Sequence, residues 1–119
     1  LAQPNDRGAP AQVLAALLAD DIEADLARPL SLDAFARRHR LSRRQVERIF
    51  KSAFDASPLE FQQRKRLERA RHLLETTDDS VLSVAQQVGW ESGSYLSRML
   101  GKAWATTAAQ IRAAAPSRH

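Results

Sequence analysis

Two stretches of the chain concentrate arginine, glutamate and serine side chains at a spacing that suits contact with a base pair. In chain order these residues are Arg43, Arg44, Glu47 and Arg48, then Gly93, Ser94, Tyr95, Ser97 and Arg98. A guanidinium can donate two parallel hydrogen bonds to guanine, a carboxylate can accept one from cytosine, and small residues admit contact with a thymine methyl group. Side chains three or four positions apart share one helix face, so each set can be presented together. Both stretches are therefore candidate base-reading surfaces.

The alternative for any run of basic residues is a solvated surface without a ligand. The net charge of +4 is concentrated in residues 31–75, which hold twelve basic and six acidic residues, against two and five before them and four and three after them. Charge alone only suggests a nucleic-acid partner. For Arg48 the alternative is a surface ion pair with Glu47 or Asp55, and its partner in the repeat described below favours the functional interpretation.

The long segment over residues 58–75 is also rich in basic side chains, at helical spacings from Glu60, Glu68 and Glu75. Such spacings slightly favour ion pairs on a solvated face over contacts to phosphate. The basic residues concerned are Arg64, Lys65, Arg66, Arg69 and Arg71.

Amphipathic helices must position these residues. Apolar residues three or four apart predict a helix over residues 11–27 that Pro29 ends, followed by a short helix capped by Ser31. A second short helix is predicted over residues 43–53. Proline at the first helical position then starts a long helix over residues 58–75, about 27 Å long at 1.5 Å per residue.

The sequence repeats itself at an offset of 49 residues, which becomes 50 after one inserted residue. Ala36 corresponds to Ala85, Ser31 to Ser80, and beyond the insertion Arg48 to Arg98. Apolar matches are common by chance, so the alanines, the serines and the arginines carry the weight of the comparison. The second copy therefore predicts its own exposed helix, over residues 92–102, and a closing helix after it.

This duplicated pattern is typical of a helix-turn-helix. That motif needs a small residue in its first helix, so that the second helix can cross closely, then a turn and a polar second helix. Ala36 and Ala85 supply the small residue. Two such recognition helices enter successive major grooves when they lie about 34 Å apart, one turn of DNA. The expected fold is all-α, with about seven helices in two helix-turn-helix subdomains joined by a long central helix.

The chain is expected to divide into four segments. Two prolines with polar residues between them favour a flexible linker or tail over residues 1–10. Residues 11–75 are expected to hold the N-terminal helix, the first helix-turn-helix and the connecting helix. Residues 76–115 hold the second helix-turn-helix and the closing helix, and residues 116–119 form a tail.

Three aromatic residues, Trp90, Tyr95 and Trp104, accompany the second copy. Exposed aromatic rings can stack on the bases of a single strand. At helical spacing in a small domain, however, such residues more often pack in the core. We predict that Trp90 and Trp104 are core residues.

Several kinds of chemistry find no support in the sequence. The absence of cysteine excludes disulfides and thiolate sites, and His39, His72 and His119 lie too far apart for a local metal motif. We find no nucleophile with an adjacent base and no glycine-rich phosphate loop, so neither an enzyme nor a cofactor is expected. No apolar run approaches the roughly 18 residues of a membrane span. We expect a cytoplasmic, nucleoid-associated protein.

Taken together, the residues resemble the DNA-binding domain of the AraC/XylS family of bacterial transcription regulators, over roughly Pro29 to Arg112. The matching runs are Leu30-Ser31-Leu32 through Ala36, Leu41-Ser42, Arg48, Phe50-Lys51, Ser57-Pro58, Arg66-Leu67-Glu68-Arg69-Ala70, Leu73-Leu74, Ser83-Val84-Ala85, Val88-Gly89-Trp90, Ser92, Ser94, Ser97-Arg98 and Arg112. That family carries two helix-turn-helix units joined by a long helix. The resemblance implies a transcription regulator that binds double-stranded DNA sequence-specifically, with no membrane partner.

The resemblance also implies which residues touch DNA. The expected base-reading residues are Arg44, Glu47, Arg48, Gly93, Ser94, Ser97 and Arg98. Contacts to the DNA backbone are expected from Ser42, Arg43, Lys51, Ser92 and Lys102. The family further implies an upstream effector-binding or dimerisation domain in the full-length protein, with RNA polymerase as a candidate partner.

The sequence departs from the family pattern mostly in the second copy. The family usually has Phe at Leu96 and Leu100, Gly at Asp55 and Ala105, Pro at Ala108 and an aromatic residue at Ile111. Gly101 also falls inside the second recognition helix, where glycine costs about 0.5–1 kcal/mol relative to alanine. We predict that the second helix-turn-helix is the less stable and less sequence-selective half. Uniform hydrogen-exchange protection across both halves would count against this.

Two further interpretations remain open at the level of sequence. A helical protein-interaction module could present basic faces to an acidic partner. A non-specific architectural protein could bind DNA without reading bases. Strong salt dependence of duplex binding argues against the first, and equal binding to unrelated sequences would favour the second.

Overall fold

The computed structural model describes residues 9–116, and within them it has seven helices and no strand, which confirms the all-α expectation. The expected tail at residues 1–10 and the tail at residues 116–119 fall almost entirely outside the described residues. The helices are α1 (Ala11–Ala24), α2 (Leu32–Arg38), α3 (Arg43–Phe54), α4 (Pro58–Thr76), α5 (Val81–Gln87), α6 (Gly93–Trp104) and α7 (Ala108–Ala114).

The described residues form two compact units. The N-terminal unit contains α1, α2, α3 and the start of α4 as far as Gln63. The C-terminal unit contains the rest of α4 from Arg64 together with α5, α6 and α7. The short segment Leu26–Arg28, which lies between α1 and α2 in the sequence, belongs to the C-terminal unit. The chain therefore leaves its first unit and returns to it before the long helix begins.

The core of the N-terminal unit lies where α1 packs against α3. Leu18 and Ile22 of α1 and Val46 of α3 are almost fully buried. Three phenylalanines extend this core towards the start of α4, since the ring centroid of Phe50 lies 4.7 Å from that of Phe54 and 5.2 Å from that of Phe61. Burial of large apolar side chains, at about 25 cal/mol per Å², is the main force that fixes the direction of α3.

The core of the C-terminal unit is built from both ends of its sequence. Leu74 of α4, Val84 of α5, and Leu96 and Leu100 of α6 are all fully buried, and Ile111 of α7 closes the cluster. Leucine therefore fills the two positions at which the similar family usually has phenylalanine. The cluster holds α6 from beneath and leaves its opposite face exposed.

The expectation that both tryptophans are core residues is half right. Trp90 is 6 % exposed and belongs to the core cluster, whereas Trp104 is 39 % exposed. Trp104 follows the inward row of Leu96 and Leu100, but it is the last residue of α6. The core beneath the helix ends before this position, and the ring instead packs under the guanidinium of Arg71, 4.8 Å from its centroid.

Two details of the N-terminal helices differ from the sequence prediction. Helix α1 ends at Ala24, not at residue 27, and Ser31 precedes α2 without any side-chain capping bond. Its counterpart Ser80 does cap, since its hydroxyl accepts from the N–H of Ser83 at 3.0 Å. Between the end of α1 and Ser31, the carbonyls of Leu26 and Arg28 accept hydrogen bonds from Arg66.

The repeat is visible in the backbone conformation as well. Asp55 and Ala105, which end α3 and α6, both adopt the left-handed conformation, with φ of 54° and 51°. This conformation favours glycine because it brings Cβ close to a carbonyl oxygen. It explains why the similar family usually has glycine at both positions. Arg40 (φ 59°) and Gly89 (φ 94°) form a second matched pair in the two helix-turn-helix turns.

Replacing Gly101 by alanine should stabilise the C-terminal unit by about 0.5–1 kcal/mol, because glycine in a helix interior loses more backbone entropy than alanine. A Cβ at Gly101 would meet no atom within 4 Å, so the gain carries no steric cost. Urea denaturation of the two proteins measures the difference. The matched control is Gly93→Ala, where the new Cβ would lie 3.3 Å from Val81 Cγ1 and should gain less. Equal stabilisation by both variants would contradict this reasoning.

Candidate DNA-recognition helices

The first helix-turn-helix consists of α2 and α3. Ala36 is 4 % exposed, which lets α3 cross α2 closely, and the turn is fixed by the bond from the N–H of Leu41 to the carbonyl of Ala36 at 2.9 Å. A capping box then starts α3. The hydroxyl of Ser42 accepts from the N–H of Gln45, while the Gln45 side chain accepts from the N–H of Ser42. This pair satisfies two N–H groups that the first turn would otherwise leave unpaired.

The second helix-turn-helix, α5 and α6, repeats the same construction. Ala85 is fully buried, and the N–H of Trp90 donates to the carbonyl of Ala85 at 2.9 Å. Ser92 caps α6 by accepting from the N–H of Tyr95 at 3.1 Å. Here the third position of the helix is tyrosine where the first copy has glutamine, so the cap has no reciprocal side-chain bond. The side chain of Tyr95 therefore takes no part in capping α6.

Helix α3 presents a polar face to solvent. Val46 and Phe50 point into the core with exposures of 2 % and 0 %, and the opposite side of the helix is exposed. The exposed side holds the expected residues Arg43, Arg44, Glu47, Arg48 and Lys51. Among the described residues Arg48 forms no ion pair with either Glu47 or Asp55, so the surface ion pair considered for it is not found. Its guanidinium remains available for a ligand.

Helix α6 presents a smaller and less charged face. Leu96 and Leu100 are fully buried beneath it. The exposed side holds Ser94, Ser97, Arg98 and Lys102, as the repeat predicts. Gly93 is half-buried, and the direction in which a side chain would extend there is occupied by Val81 and Leu82 at the start of α5. A base contact from Gly93 therefore has to come from its backbone.

The two serines expected to touch the DNA backbone, Ser42 and Ser92, are both exposed and both used as helix caps. In each case the hydroxyl oxygen accepts a backbone hydrogen bond. A hydroxyl that accepts one bond still carries a hydrogen that it can donate. Capping and donation to a phosphate oxygen are therefore compatible.

Arg98 is the one exposed arginine of α6, and its guanidinium lies over an aromatic ring. The guanidinium carbon is 5.4 Å from the ring centroid of Tyr95. Tyr95 in turn packs edge to face against the buried Trp90, at 5.2 Å between centroids and 76° between planes. Three side chains thus form a continuous stack from the core to the exposed face of α6.

The basic residues of α4 do not all lie on its solvated surface. Lys65 lies 3.6 Å from Glu68 and Arg71 lies 3.6 Å from Glu75, which agrees with the ion-paired surface that the sequence favours. Arg66 is an exception, because the sequence placed it on this solvated face and the structure buries it. It is 6 % exposed, and its Nε donates to the carbonyl of Leu26 at 2.7 Å while Nη2 donates to that of Arg28 at 3.4 Å.

The sequence did hold a signal for the burial of Arg66. It stands four residues before Ala70 and eight before Leu74, both fully buried, so it lies on the inward row of α4. Burial lowers the pKa of its guanidinium, an effect that the nearby Tyr95 opposes. Arginine keeps its charge at neutral pH because the ordinary pKa of its guanidinium lies far above neutrality. A buried, charged donor on this row has to find carbonyl partners.

Arg112 of α7 is used in a comparable way. Its guanidinium donates to the carbonyls of Leu74 and Thr77 at 3.1 Å each, and to that of Asp79. These are the carbonyl groups where α4 ends and the following loop begins, and helix ends leave such groups unpaired. The closing arginine of the sequence pattern therefore fastens α7 to the end of α4.

Residues 9–116 contain neither a metal-binding cluster nor a membrane-spanning helix. No three histidine, aspartate or glutamate side chains in this range come together as metal ligands do. None of the helices described here is both long enough and apolar enough to cross a bilayer.

Comparison with known proteins identifies the fold and its relatives. The profile of a helix-turn-helix domain family matches residues 35–114. A crystal structure of a transcriptional regulator with an AraC-type DNA-binding domain, from Chromobacterium violaceum, superposes with a TM-score of 0.79 at 32 % identity, covering 92 % of this chain and all of that one. The DNA-binding domain of AdpA, solved in complex with a target DNA, gives a TM-score of 0.74 at 30 % identity over 84 % of this chain and 90 % of that chain.

Curated relatives give the same picture. The HTH-type transcriptional regulator CdhR of Pseudomonas aeruginosa is 42 % identical over 88 residues, which are 74 % of this chain and 26 % of that protein. This chain thus spans about a quarter of the length of the curated relatives that it matches.

Proposed function

The chain belongs to the AraC-type family of helix-turn-helix transcription regulators, and from this premise we propose that it binds double-stranded DNA sequence-specifically through α3 and α6. The observation that carries the proposal is the matched construction of these helices. Each is capped by a serine, fixed over a buried core by two inward apolar residues, and left exposed along a face that carries an arginine at the same repeat position, Arg48 or Arg98.

The two helices are proposed to read different bases. Arg44 and Arg48 can each hold guanine by two hydrogen bonds, and Glu47 can accept from cytosine. On α6 only Arg98 can make such a paired contact, while Ser94 and Ser97 offer single hydrogen bonds and space for a thymine methyl group. Contacts to the DNA backbone are assigned to Ser42, Arg43, Lys51, Ser92 and Lys102. Such contacts fix register and contribute affinity without reading sequence.

We further propose that the two helices enter successive major grooves on one face of the duplex. A site of this kind contains two blocks about one helical turn, or 34 Å, apart. The chain spans about a quarter of its curated relatives. In the full-length protein we therefore also propose an upstream effector-binding or dimerisation domain, with RNA polymerase as a partner in activation.

The test is selection of bound duplexes from a random pool at near-physiological salt. The wild-type chain should enrich two short blocks one helical turn apart. Arg48→Ala should blur one block and Arg98→Ala the other, each by about 5- to 150-fold in discrimination, because a paired contact is worth about 1–3 kcal/mol. Sequencing of the enriched pools reads both effects at once.

The matched control for these variants is Arg38→Ala. Arg38 is an exposed arginine of α2, off both recognition helices, and lies 3.5 Å from Asp21. Its loss removes the same charge, so it should change the salt dependence slightly and blur neither block. Blurring of a block by Arg38→Ala would show that charge, rather than the recognition face, determines the selected sequence.

Two other outcomes would reject the proposal. Binding that is equal across unrelated duplexes would indicate an architectural DNA-binding protein. Binding to DNA that vanishes as salt rises, without any enriched sequence, would leave only a basic helical module that reads no bases.

A further inference from the structure

We propose that Tyr95 is a specificity-determining positioning residue, which holds the guanidinium of Arg98 in the orientation that reads a base. This inference rests on the proposed function and adds a residue that makes no base contact itself. It follows from the stack of Trp90, Tyr95 and Arg98 within the C-terminal unit.

The stack begins in the core and is therefore rigid at its base. Trp90 is 6 % exposed, and its backbone N–H is fixed to Ala85 in the turn. Tyr95 packs on it edge to face at 5.2 Å, an arrangement that aromatic pairs prefer. The tyrosine ring is half-buried, so one of its faces is left for another group. That face lies beneath the guanidinium of Arg98, 5.4 Å from the ring centroid.

Stacking on a ring limits the rotamers of an exposed arginine without using its hydrogen-bond donors. A guanidinium over an aromatic face keeps its N–H groups in the plane of the group, where they can still bond a base. Binding then costs less side-chain entropy, because a stacked arginine has fewer rotamers to lose than a free one. Ordering before binding improves affinity for the correct base because less freedom is lost on contact.

The first recognition helix, α3, has no aromatic residue at the position that corresponds to Tyr95. At the repeat position of Tyr95 it has Gln45, whose side chain is engaged in the capping box with Ser42. Among the described residues no aromatic ring lies under Arg48. Helix α3 carries several charged residues for recognition, whereas Arg98 is the one charged residue among those of α6 that are proposed to read bases. The ring of Tyr95 restricts the side-chain rotamers of Arg98, which the neighbouring serines are too short to do.

The test compares Tyr95→Leu with Tyr95→Phe. Leucine removes the ring, and phenylalanine keeps it while removing the hydroxyl. Tyr95→Leu should lower discrimination at the Arg98-dependent block about two- to fivefold, since an exposed cation–π contact is worth about 0.5–1 kcal/mol. Tyr95→Phe should leave it unchanged, and neither variant should alter the Arg48-dependent block. An equal loss at both blocks would mean that Tyr95 acts through general stability, and would overturn the proposal.

A double variant removes the remaining ambiguity about folding. In the Arg98→Ala background, Tyr95→Leu should cause no further loss of discrimination, because a positioning residue acts only through the group it positions. Additive losses would overturn the proposal.

An NMR measurement on the free protein tests the contact without DNA. Side-chain protons of Arg98 should be shifted upfield by the ring current of Tyr95, and the shift should persist in Tyr95→Phe and disappear in Tyr95→Leu. Absence of the shift in the wild type contradicts the inference even where two blocks are selected. A shift that is present with no Arg98-dependent block contradicts the proposed function instead, and with it the role of Tyr95 in reading a base.

Discussion

Replacing Gly89 by alanine should lower the free energy of unfolding of the C-terminal unit by about 2–5 kcal/mol. Two costs add at this position. The backbone φ of 94° is one that residues with a Cβ rarely adopt, which costs about 1–2 kcal/mol. A Cβ would also lie 2.8 Å from both Cα and O of Ala27 and 2.9 Å from Nη2 of Arg66, and overpacking typically costs about 1–3 kcal/mol.

Urea denaturation and hydrogen exchange of the α5 and α6 amides measure this effect. Gly101→Ala is the control, because the same chemical change there meets open space and should be stabilising. A Gly89→Ala protein as stable as the wild type would show that Leu26–Arg28 can move away from the turn at no cost. The close approach of the two backbones would then not be a structural requirement.

Replacing Arg66 by methionine should cost about 2–4 kcal/mol. Methionine has an unbranched side chain that can fill the space of the aliphatic part of arginine. The main loss is therefore the pair of hydrogen bonds to the carbonyls of Leu26 and Arg28. Hydrogen bonds from a charged donor contribute about 1.5–3 kcal/mol, and a buried carbonyl left without a partner costs about 1–3 kcal/mol. Removal of a buried charge offsets part of this loss.

Lysine at the same position separates geometry from charge. Arg66→Lys keeps a positive charge, but a single ammonium cannot reproduce the fixed fork of the guanidinium. We expect an intermediate loss of stability in denaturant unfolding. An Arg66→Lys protein as stable as the wild type would mean that positive charge alone holds the segment Leu26–Arg28. Because Gly89 lies against Ala27 and against Arg66 itself, and Arg66 bonds to Leu26 and Arg28 on either side of Ala27, the double variant should lose less than the sum of the two single variants.

These two residues also lie beside the aromatic stack that supports Arg98. Gly89 directly precedes Trp90, the base of the aromatic stack, and Arg66 lies near Tyr95, which opposes the lowering of the pKa of Arg66 by burial. Loss of either should therefore lower discrimination at the Arg98-dependent block more than at the Arg48-dependent block. Selection from a random duplex pool at a temperature where each variant is folded measures this difference.

Much of the fold followed from local patterns in the sequence. Apolar residues at a spacing of three or four gave the seven helices, because one face of each helix has to be buried. Serine or threonine stands before α3, α5, α6 and α7, where its hydroxyl satisfies an unpaired N–H of the first turn. The repeat of Ala36 with Ala85 and of Arg48 with Arg98 then predicted two helix-turn-helix units and their two exposed faces, since burial of one side of a helix leaves the other side to solvent.

Other features of the structure depend on contacts between residues that are distant in sequence, and only the tertiary structure decided them. The end of α1 at Ala24 and the uncapped Ser31 stand on either side of Leu26–Arg28, a segment that belongs to the C-terminal unit and whose carbonyls accept hydrogen bonds from the buried Arg66. Trp104 is exposed because the core ends before the last turn of α6, and Arg98 stacks on Tyr95 because Trp90 holds that ring from below. Helical periodicity states which face of a helix is inward, but how far the core extends, and which distant carbonyl groups a buried arginine meets, depend on the packing of the whole unit.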